Sequence, residues 1–412
     1  MVVVIGGGIV GVASAYYLAR RGLPVTLLER AAIASGASAG NAGLLVPSHS
    51  VPLAAPGVLS KGLRWMLDPE SPFYVRPRAS LALVRWLVAF AASCTEAHVR
   101  RAAPILKALH LASLDLYREL AMTPGLDFGF EERGILEVYR SASGFEEGRR
   151  EAARLGEAGI EARLLGAEET MAFEPALAPG LVGSLHVAAD AQIVPDRFVT
   201  GLARLAAGSH GVEVRTGIAA IGLRRNGRRV TAVRTPEGDL PCEAVVVATG
   251  AFAPAFARDL GVRIPVEAAK GYSLTGPRPA GGPSRPLMLA EARVAVTPMG
   301  DRLRYAGTLE LAGTDLSISP RRVEAIRRAA RTYLRDPGPP LAAEPWAGLR
   351  PCTPDGLPIV GRPPGLDNVV LATGHAMLGV SLGPITGRLV SEIVAGAPTS
   401  LDVAPLSPAR FA

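Results

Sequence analysis

The chain has 412 residues, of which 49% are hydrophobic and 20% are charged, a composition that allows a large core and predicts two domains. The formal net charge is +7, but only three of the 44 basic residues are lysines and the arginines are scattered, so no block of like charge predicts a nucleic-acid partner. Three widely spaced cysteines exclude a disulfide framework and a zinc pattern, and they indicate a reducing compartment.

The first stretch, VVVIGGGIVG at residues 2–11, predicts a buried strand, a glycine turn and a helix that runs to about residue 21. Its glycines follow the pattern G-x-G-x-x-G at Gly6, Gly8 and Gly11. In this pattern the first glycine permits a tight turn, the second lets the backbone approach a pyrophosphate, and the third lets helix and strand pack closely. The helix N-terminus then points N–H groups and positive dipole at the phosphates.

A second predicted strand covers residues 24–28 and is followed by Glu29. This is where a dinucleotide-binding unit places an acid on the ribose hydroxyls, and an acid there disfavours the 2'-phosphate of NADP. The alternative is a turn with a surface glutamate and no ligand. Strand, glycines, helix and acid in register favour the nucleotide site.

The apolar residues 2–18 do not predict a secretory signal, because they lack a basic leader and are needed as the first strand and helix. No run reaches the about 18 uninterrupted apolar residues of a spanning helix. The nearest approach, residues 81–92, is broken by Arg85. We therefore expect a cytoplasmic protein and leave open a peripheral attachment to the inner face of the cell membrane.

Residues 31–43, AAIASGASAGNAG, are too small and flexible for a packed helix and predict a loop that lies along a ligand. Ser35 and Ser38 offer hydroxyls, and residues 41–43 offer backbone N–H groups. Prolines and glycines rule out long elements over residues 47–77.

The middle of the chain predicts a mixture of helices and strands. Helices are expected over residues 81–92, 96–121, 143–156 and 196–207. Residues 127–139 alternate as in a hairpin with its turn near Arg133 and Gly134. Further strands are expected over residues 183–187, 212–215, 218–224, 230–235 and 244–248. The last of them ends in Thr249 and Gly250, which places Gly250 beside the dinucleotide.

Residues 264–343 change character, with predicted strands over residues 271–275, 292–298 and 302–309 and a helix over residues 320–334. Nucleotide-fold character then returns, with strands over residues 346–350, 358–361 and 369–372 and a helix over residues 383–395. The sequence predicts an α/β protein with a discontinuous Rossmann-type domain and an α+β substrate domain whose sheet is mainly antiparallel. The first comprises residues 1–50, 186–262 and 346–412, and the second residues 51–185 and 263–345.

Seven motifs stand in order along the chain: VVVIGGGIVG, SGASAGNAGLLVP, HVAADAQIVPDRF, VVVATGAF, KGYSLT, WAGLRPCTPDGLPIVG and LATGHAMLGVSLGPITG. In this order the sequence resembles the family of FAD-dependent amino-acid oxidoreductases that includes D-amino-acid oxidase, glycine oxidase and the bacterial D-amino-acid dehydrogenases. The resemblance covers nearly the whole chain. Residues 41–43, 55–66, 270–273 and 353–356 favour the D-amino-acid dehydrogenase branch, and the glycine oxidase pattern fits the C-terminal third about as well.

The resemblance implies that the Rossmann-type domain binds FAD without a covalent bond. The residues it implies for cofactor binding are Gly6, Gly8, Ile9, Val10, Gly11, Glu29, Arg30, Ser38, Asn41, Ala42, Gly43, Leu44, Ile218, Thr249, Gly250, Gly374, His375, Met377, Leu378 and Gly379. Some relatives tether FAD through a cysteine near the position of Cys352, but the spacing to the following Asp differs, so a small buried thiol is the default.

Arg350 matches the arginine that holds the substrate carboxylate in this family, and a guanidinium suits that task because it forms two parallel N–H···O bonds. Its alternative is an ion pair that holds the fold. Met377 stands near the place of a second arginine in glycine oxidase, so the resemblance implies help from the hydroxyls of Tyr272 and Tyr305, either of which could instead pack as a strand tyrosine. His375 contacts flavin through its ring or through its backbone only, and both remain open.

The activity implied is oxidative deamination of D-amino acids to 2-keto acids and ammonia, by hydride transfer to flavin N5. Electrons would pass to a quinone or a dye-type acceptor, with a membrane quinone pool as the natural one. Two alternatives remain: a glycine or sarcosine-type oxidase that produces hydrogen peroxide, and a flavin-binding electron-transfer subunit of a larger complex. An intact Arg350 argues against the subunit.

Overall fold

The computed structural model describes residues 1–60, 62, 71 and 73–412. Part of the resemblance at residues 55–66, including Trp65 and Met66, lies outside the described residues. The strands, in chain order, are β1 (Val2–Ile5), β2 (Val25–Glu29), β3 (Leu44–Leu45), β4 (Phe73–Val75), β5 (Ile135–Tyr139), β6 (Ala162–Gly166), β7 (Gly183–Val187), β8 (Ala191–Gln192), β9 (Glu213–Thr216), β10 (Gly222–Asn226), β11 (Arg229–Thr235), β12 (Gly238–Pro241), β13 (Ala244–Val247), β14 (Glu267–Pro277), β15 (Leu287–Leu289), β16 (Val294–Met299), β17 (Arg302–Leu311), β18 (Trp346–Cys352), β19 (Ile359–Gly361) and β20 (Val369–Thr373).

The α-helices in the described part of the chain alternate with these strands. They are α1 (Ile9–Arg20), α2 (Leu81–Ser93), α3 (Glu96–Ala121), α4 (Ala142–Glu157), α5 (Ala167–Phe173), α6 (Pro195–His210), α7 (Ala257–Leu260), α8 (Pro320–Tyr333) and α9 (Gly379–Ala395). Short 3-10 helices cover Gly250–Phe256, Pro339–Ala342, Ala376–Leu378, Ala404–Leu406 and Pro408–Phe411.

The first sheet has six strands in the order β19-β20-β13-β1-β2-β9, all parallel except β19. Every residue of β1 is buried, as expected for a strand covered on both faces. On one face α1 and α9 pack closely, because a Cβ on Gly387 would lie only 2.5 Å from the backbone of Ala13. The Rossmann-type architecture predicted from the glycine turn is confirmed.

The second sheet runs in the order β18-β14-β17-β16-β15-β5-β7-β6, with β4 paired to β17. Its pairings are antiparallel except β15 with β5 and β17 with β4, so the predicted antiparallel character is confirmed. The helix α8 covers one face and contributes Val323 and Ile326 to the core beneath it. The sheet's opposite face, on β14, β17 and β18, borders the functional site.

The predicted hairpin over residues 127–139 is wrong. Only Ile135–Tyr139 forms a strand, and it pairs with β7 and β15. The residues before it run beside β8, where Glu131 pairs with Gln192 and the carbonyl of Phe128 accepts from the N–H of Val194. Alternation indicated an extended chain correctly, but the partner was a distant segment, which alternation cannot specify.

Two segments belong to a different domain from the one predicted for them. The strand β18 begins at Trp346 and pairs with β14 in the second sheet. The helix α3 packs with the core of the first sheet, to which it contributes Leu106, Leu109 and Tyr117. The remaining boundaries of the division stay a prediction.

The segment Ala376–Ala395 has the length and apolar composition of a membrane-spanning helix. Of its most apolar stretch, 67% is buried within the protein, and α9 packs against both α1 and α3. The segment is therefore a core helix of this fold. The helix α9 begins at Gly379, one turn before the predicted residue 383.

Candidate functional site

A cavity of about 1890 Å³ lies where the carboxyl ends of β1, β2 and β13 meet the second sheet. Ligands of open parallel sheets bind at this edge. The cavity is lined by Gly6 and Glu29 at one end and by Arg350 at the other. Of the residues predicted for cofactor binding, those that line it are Gly6, Gly8, Ile9, Val10, Glu29, Arg30, Ser38, Asn41, Ala42, Leu44, Ile218, Thr249, Gly250, His375, Met377, Leu378 and Gly379.

The glycine turn is held in a conformation that side chains would disrupt. Gly6 has φ +113°, and a Cβ on it would lie 2.5 Å from the carbonyl oxygen of Ala248. A Cβ on Gly11 would overlap the carbonyl oxygen of Gly6, so Gly11 shapes the turn without lining the cavity. Among the described residues, none accepts a hydrogen bond from the N–H groups of Gly8 and Val10, which are therefore available to an anion.

Two other N–H groups of the turn are already engaged. The N–H of Gly7 donates to Glu29 Oε2 at 2.6 Å, and the N–H of Ile9 donates to Ser38 Oγ at 3.0 Å. Glu29 Oε1 also accepts from the N–H of Ala31 at 2.9 Å. Glu29 thus orders the turn as well as standing where a ribose is expected. The Ser38 hydroxyl donates to no acceptor among the described residues, so its proton is available to a ligand.

The loop after β2 is fixed from the second sheet. Arg304 on β17 donates through Nη1 to the carbonyls of Ala39 and Asn41, both at 2.6 Å. Burial lowers the Arg304 pKa to about 10, so the guanidinium stays charged at neutral pH. Asn41 Oδ1 accepts from the N–H of Gly43 at 2.8 Å and closes a turn there. Gly43 supports this turn with φ +75° and does not line the cavity.

The opposite wall is formed after β13 and before α9. Thr249 has a buried hydroxyl with no hydrogen-bond partner in the described part of the chain. Gly250 adopts φ +54°, and the nearest protein atom to an added Cβ is 3.9 Å away. Within the protein, the positive φ and not a lack of space is therefore the reason for a glycine at this position. Met377 and Gly379 line the cavity at the N-terminus of α9, whereas Gly374 packs against Thr353 behind it.

Arg350 lies at the second-sheet end of the cavity. Its Nη1 donates to the carbonyl of Thr308 at 2.5 Å, and no carboxylate of the described residues lies within 4 Å of it. Thr308 has φ +69° at a bulge where β17 pairs with β14. The guanidinium lies across Gly271, where any Cβ would overlap it. Burial lowers the Arg350 pKa, and a carboxylate bound beside the guanidinium would favour its charged form again.

The two candidate tyrosines do not serve as predicted. Tyr305 is fully buried, lies outside the cavity and donates its hydroxyl proton to the carbonyl of Pro337 at 2.6 Å. Tyr272 borders the cavity, but its hydroxyl donates to Glu310 Oε2 at 2.8 Å. Both rings belong to the core beneath α8. Each phenol has one proton, so neither has a donor left for a carboxylate.

Glu310 belongs to a buried charged group behind Tyr272. Its Oε2 lies 3.8 Å from both Lys270 Nζ and Arg322 Nε. Lys270 Nζ also donates to the carbonyl of Ser317 at 2.7 Å. Burial, followed by the hydrogen bond to Glu310, raises the pKa of Tyr272 above its usual value. The KGYSLT motif therefore supports the site from behind.

His375 is buried beside the cavity, and its Nε2 lies 2.9 Å from Thr386 Oγ1. Thr386 donates its own proton to the carbonyl of Leu382. The hydroxyl must then accept from His375, so Nε2 carries the proton and Nδ1 is an acceptor. Burial lowers the His375 pKa to about 4, which keeps the ring neutral at physiological pH.

Trp346 is a cavity residue that the sequence did not single out. Its indole lies against Gly40 and Gly348, where a Cβ would overlap the ring. These two glycines were the features of the sequence that could have indicated Trp346, since each leaves room for a large side chain next to it. Trp346 thus closes one side of the space between the loop after β2 and Arg350.

A second group that the sequence missed consists of Ser48, His49 and Asp190, all of which line the cavity. Asp190 accepts from both the N–H and the hydroxyl of Ser48, at 3.1 and 2.5 Å. Burial raises the Asp190 pKa to about 6, against the opposing influence of His49 and Ser48. No signal in the sequence joins residues 48 and 190, because they meet only through the fold.

Cys352 is buried, and burial raises its thiol pKa to about 12. A thiol with so high a pKa is a poor nucleophile. The residue borders the cavity, but Trp86 Nε1 donates to its carbonyl at 2.9 Å, which ties it to α2. These observations favour the structural thiol over the flavin tether, and non-covalent binding stays a prediction.

Comparisons with known proteins agree with this geometry. D-amino acid dehydrogenase of Methylobacterium nodulans is 37% identical over 417 residues, covering 100% of this chain and 99% of its own, and that of Cereibacter sphaeroides is 36% identical. Glycine oxidase from Geobacillus kaustophilus has a similar structure, with a TM-score of 0.79, 25% identity and coverage of 100% and 98%. The family profile described as FAD dependent oxidoreductase (DAO) matches residues 1–393. The chain therefore belongs to the DAO family of FAD-dependent oxidoreductases.

Proposed function

We propose that the protein catalyses the FAD-dependent oxidative deamination of D-amino acids to 2-keto acids and ammonia. The observation that carries the proposal is Arg350, a guanidinium with no carboxylate partner in the described chain, in a cavity that reaches the glycine turn. The names of the relatives from Methylobacterium and Cereibacter support the choice of D-amino acids.

The residues present fit FAD. Glycines at the turn leave space that a Cβ would fill, the N–H groups of Gly8 and Val10 are free for phosphate, and the buried Thr249 hydroxyl lacks a partner among the described residues. Glu29 and Arg30 would flank the adenosine part, and Met377 and Gly379 would lie by the flavin at the start of α9. When bound, FAD accepts the α-hydrogen of the substrate as a hydride.

The chain's own contribution is to bind and orient the amino acid. Arg350 would hold the substrate carboxylate through two N–H···O bonds, with Thr308 fixing the guanidinium plane. The hydroxyls of Tyr272 and Tyr305 donate to other protein groups. Of the residues predicted to bind the substrate carboxylate, Arg350 therefore remains. Trp346 would exclude water from the substrate, and Met377 would offer an apolar wall. A neutral, apolar D-amino acid fits this setting best.

The electron acceptor is proposed to be a quinone or a similar dye-type compound. We further propose that the protein is cytoplasmic, consistent with its three free cysteines, and that it attaches peripherally to the inner face of the cell membrane to reach a quinone pool. The partners are then a small amino acid and a lipid-soluble acceptor, with no role for nucleic acid.

A second candidate is a glycine-type oxidase that passes electrons to oxygen. The likeness to glycine oxidase from Geobacillus kaustophilus, at a TM-score of 0.79, favours it. Met377 in the wall of the cavity argues for substrates with a side chain that can contact it. The electron-transfer subunit has less support, because such a subunit does not need an arginine in the cavity that lacks a carboxylate partner among the described residues.

One experiment tests these assignments together. The yellow holoprotein is mixed anaerobically with a panel of D- and L-amino acids, glycine and sarcosine while the flavin absorbance is followed, and then air or a quinone-like dye is admitted. We expect bleaching by neutral D-amino acids, slow reoxidation by air and fast reoxidation by dye. Rapid peroxide formation with glycine would assign the oxidase, and no bleaching with any amine would overturn amino-acid oxidation.

A control addresses the cofactor linkage. After denaturation the flavin is expected in the supernatant as FAD. Flavin that stays with the precipitated chain would show a covalent tether, with Cys352 as the first residue to replace. A protein that binds NAD and no FAD would contradict the cofactor assignment.

A further inference from the structure

The helix α2 presents an apolar surface to solvent. Leu81, Val84 and Val88 are 64%, 54% and 65% exposed, and their spacing places them along one side of the helix. The other exposed positions of α2 are alanines and Arg85. The helix contains no acidic residue. A cluster of large exposed apolar side chains marks a surface that something else covers.

The buried side of α2 is also apolar and holds the helix firmly. Trp86 stacks on Phe90 with ring centroids 5.1 Å apart, and the Trp86 indole N–H donates to the carbonyl of Cys352. Leu83 is buried on the same side. Because α2 is fixed by these contacts, its outer face is a preformed surface and not the side of a loosely attached segment.

Arginines stand on α2 itself and at the start of the helix that follows it. Residues 81–101, which span α2 and the first turns of α3, contain three arginines and one acidic residue, Glu96. Within the part of the chain that the structure describes, the exposed Arg85, Arg100 and Arg101 make no ion pair. Apolar side chains with Arg85 on the same helix and two further arginines early in the next helix match a bilayer with anionic headgroups, where the arginine stems lie in the interface and the charges meet phosphate.

We propose that α2 docks the protein on an anionic lipid surface. Leu81, Val84 and Val88 enter the interface, and Arg85, Arg100 and Arg101 contact the headgroups. This deepens the membrane attachment proposed above and rests on that proposal. The opposite side of α2 faces the functional site, because its Trp86, Leu87 and Phe90 line the same cavity as Arg350.

The docked orientation has a functional consequence. Val51 and Leu59, which are also exposed, line the cavity, and their neighbours Leu53 and Val58 pack against the cluster that contains Trp86 and Phe90 of α2. With α2 on the bilayer, the cavity has an apolar border next to the lipid. A lipid-soluble acceptor could then reach the cavity without crossing water, while a small polar substrate enters from the aqueous side.

The test uses the FAD-loaded full chain and sucrose-loaded vesicles, made either of phosphatidylcholine alone or with one third phosphatidylglycerol. We expect sedimentation with the anionic vesicles and at least tenfold weaker binding to the neutral ones. The double variant Val84→Gln, Val88→Gln should lose at least tenfold in affinity, and Arg85→Gln a smaller amount. Met122→Gln changes a methionine that is 84% exposed elsewhere and serves as the matched control.

The double variant should keep oxidation of the amino acid with a soluble dye and lose it with a quinone dissolved in the vesicles, whereas Met122→Gln should keep both. Equal binding of the wild type and the double variant would overturn the proposal, as would equal binding to both kinds of vesicle. If the wild type forms dimers without vesicles and the double variant is monomeric, the surface contacts a second copy of the chain, and the proposal is overturned. Vesicle binding is read without turnover, so failure of the proposed reaction is seen separately in the dye assay.

Discussion

The two ends of the cavity hold their ligands by different means. At the glycine turn the groups offered are backbone N–H groups, and Gly6 and Gly11 are required because neighbouring backbone occupies the space of a side chain. At the other end the group offered is one side chain, Arg350, held by the carbonyl of Thr308 above Gly271. The first end is built by consecutive residues. The second depends on the register of three strands, so the two should respond differently to mutation.

The largest effect is expected from Gly11→Ala. The added Cβ would overlap the carbonyl oxygen of Gly6, and backbone cannot give way as a flexible side chain can. We expect loss of bound FAD, measured as the flavin to protein absorbance ratio after purification. Gly208→Ala in α6 is the matched control, because no atom lies within 4 Å of its added Cβ and Ala favours a helix by about 1 kcal/mol. Normal FAD content in Gly11→Ala would contradict the close approach.

The second effect tests the side-chain end. Arg350→Met should lower kcat/KM by about 30-fold to 1000-fold, because a charge-assisted contact contributes roughly 2 to 4 kcal/mol. FAD should stay bound, since the turn is remote from this end. Steady-state kinetics with the best substrate of the panel measures the loss. A variant that is unfolded or lacks flavin would show that Arg350 mainly holds the fold.

A third, smaller effect tests how Arg350 is positioned. Gly271→Ala keeps the guanidinium but displaces it, and a misplacement of about 1 Å costs about 10-fold to 100-fold in rate. Adding Gly271→Ala to Arg350→Met should then cost little more, which a double-mutant cycle measures. Fully additive losses would show that Gly271 acts independently of Arg350.

The smallest effect on activity is expected from Asp190→Asn, whose main result is a change in the pH dependence of stability. Burial raises the Asp190 pKa from 3.8 to about 6, so ionisation destabilises the folded state as the pH rises between these values. The variant lacks this ionisation. Its stability relative to the wild type should therefore improve from about pH 4 to pH 6 and stay constant above, by about 1 to 3 kcal/mol. Thermal unfolding across this range measures it, and a constant difference would contradict the raised pKa.

Features built from neighbouring residues could be predicted from the sequence, and features built from distant residues could not. The turn at Gly6, the acid Glu29 and the bounds of α3 were predicted because each follows from the chemistry of neighbouring residues. Arg304 was missed because its partners, two carbonyls in the loop after β2, lie more than two hundred residues away in the chain.

Tyr272 and Tyr305 show a second limit of sequence reasoning. Residues of a strand alternate between faces, so Tyr272 must point away from the face that Gly271 shares with Arg350. The register that establishes this, Ala269 opposite Arg350, appears only when β14 and β18 are paired. From the sequence alone, a tyrosine hydroxyl beside the carboxylate site was a reasonable prediction, because nothing in the sequence shows which face of the strand Tyr272 occupies.

The packing of α9 on α1 has a consequence for how the protein is made. Arg21 at the end of α1 donates to Ser391 in α9, 370 residues further along the chain, and β20 completes the sheet beside β13. Contacts of such sequence separation form late, because a long loop must close first. During synthesis the side of α1 that packs on α9 therefore stays uncovered until residues 379–395 have been made. The wall of the cavity formed by Met377 and Gly379 is therefore among the last parts of the site to be made.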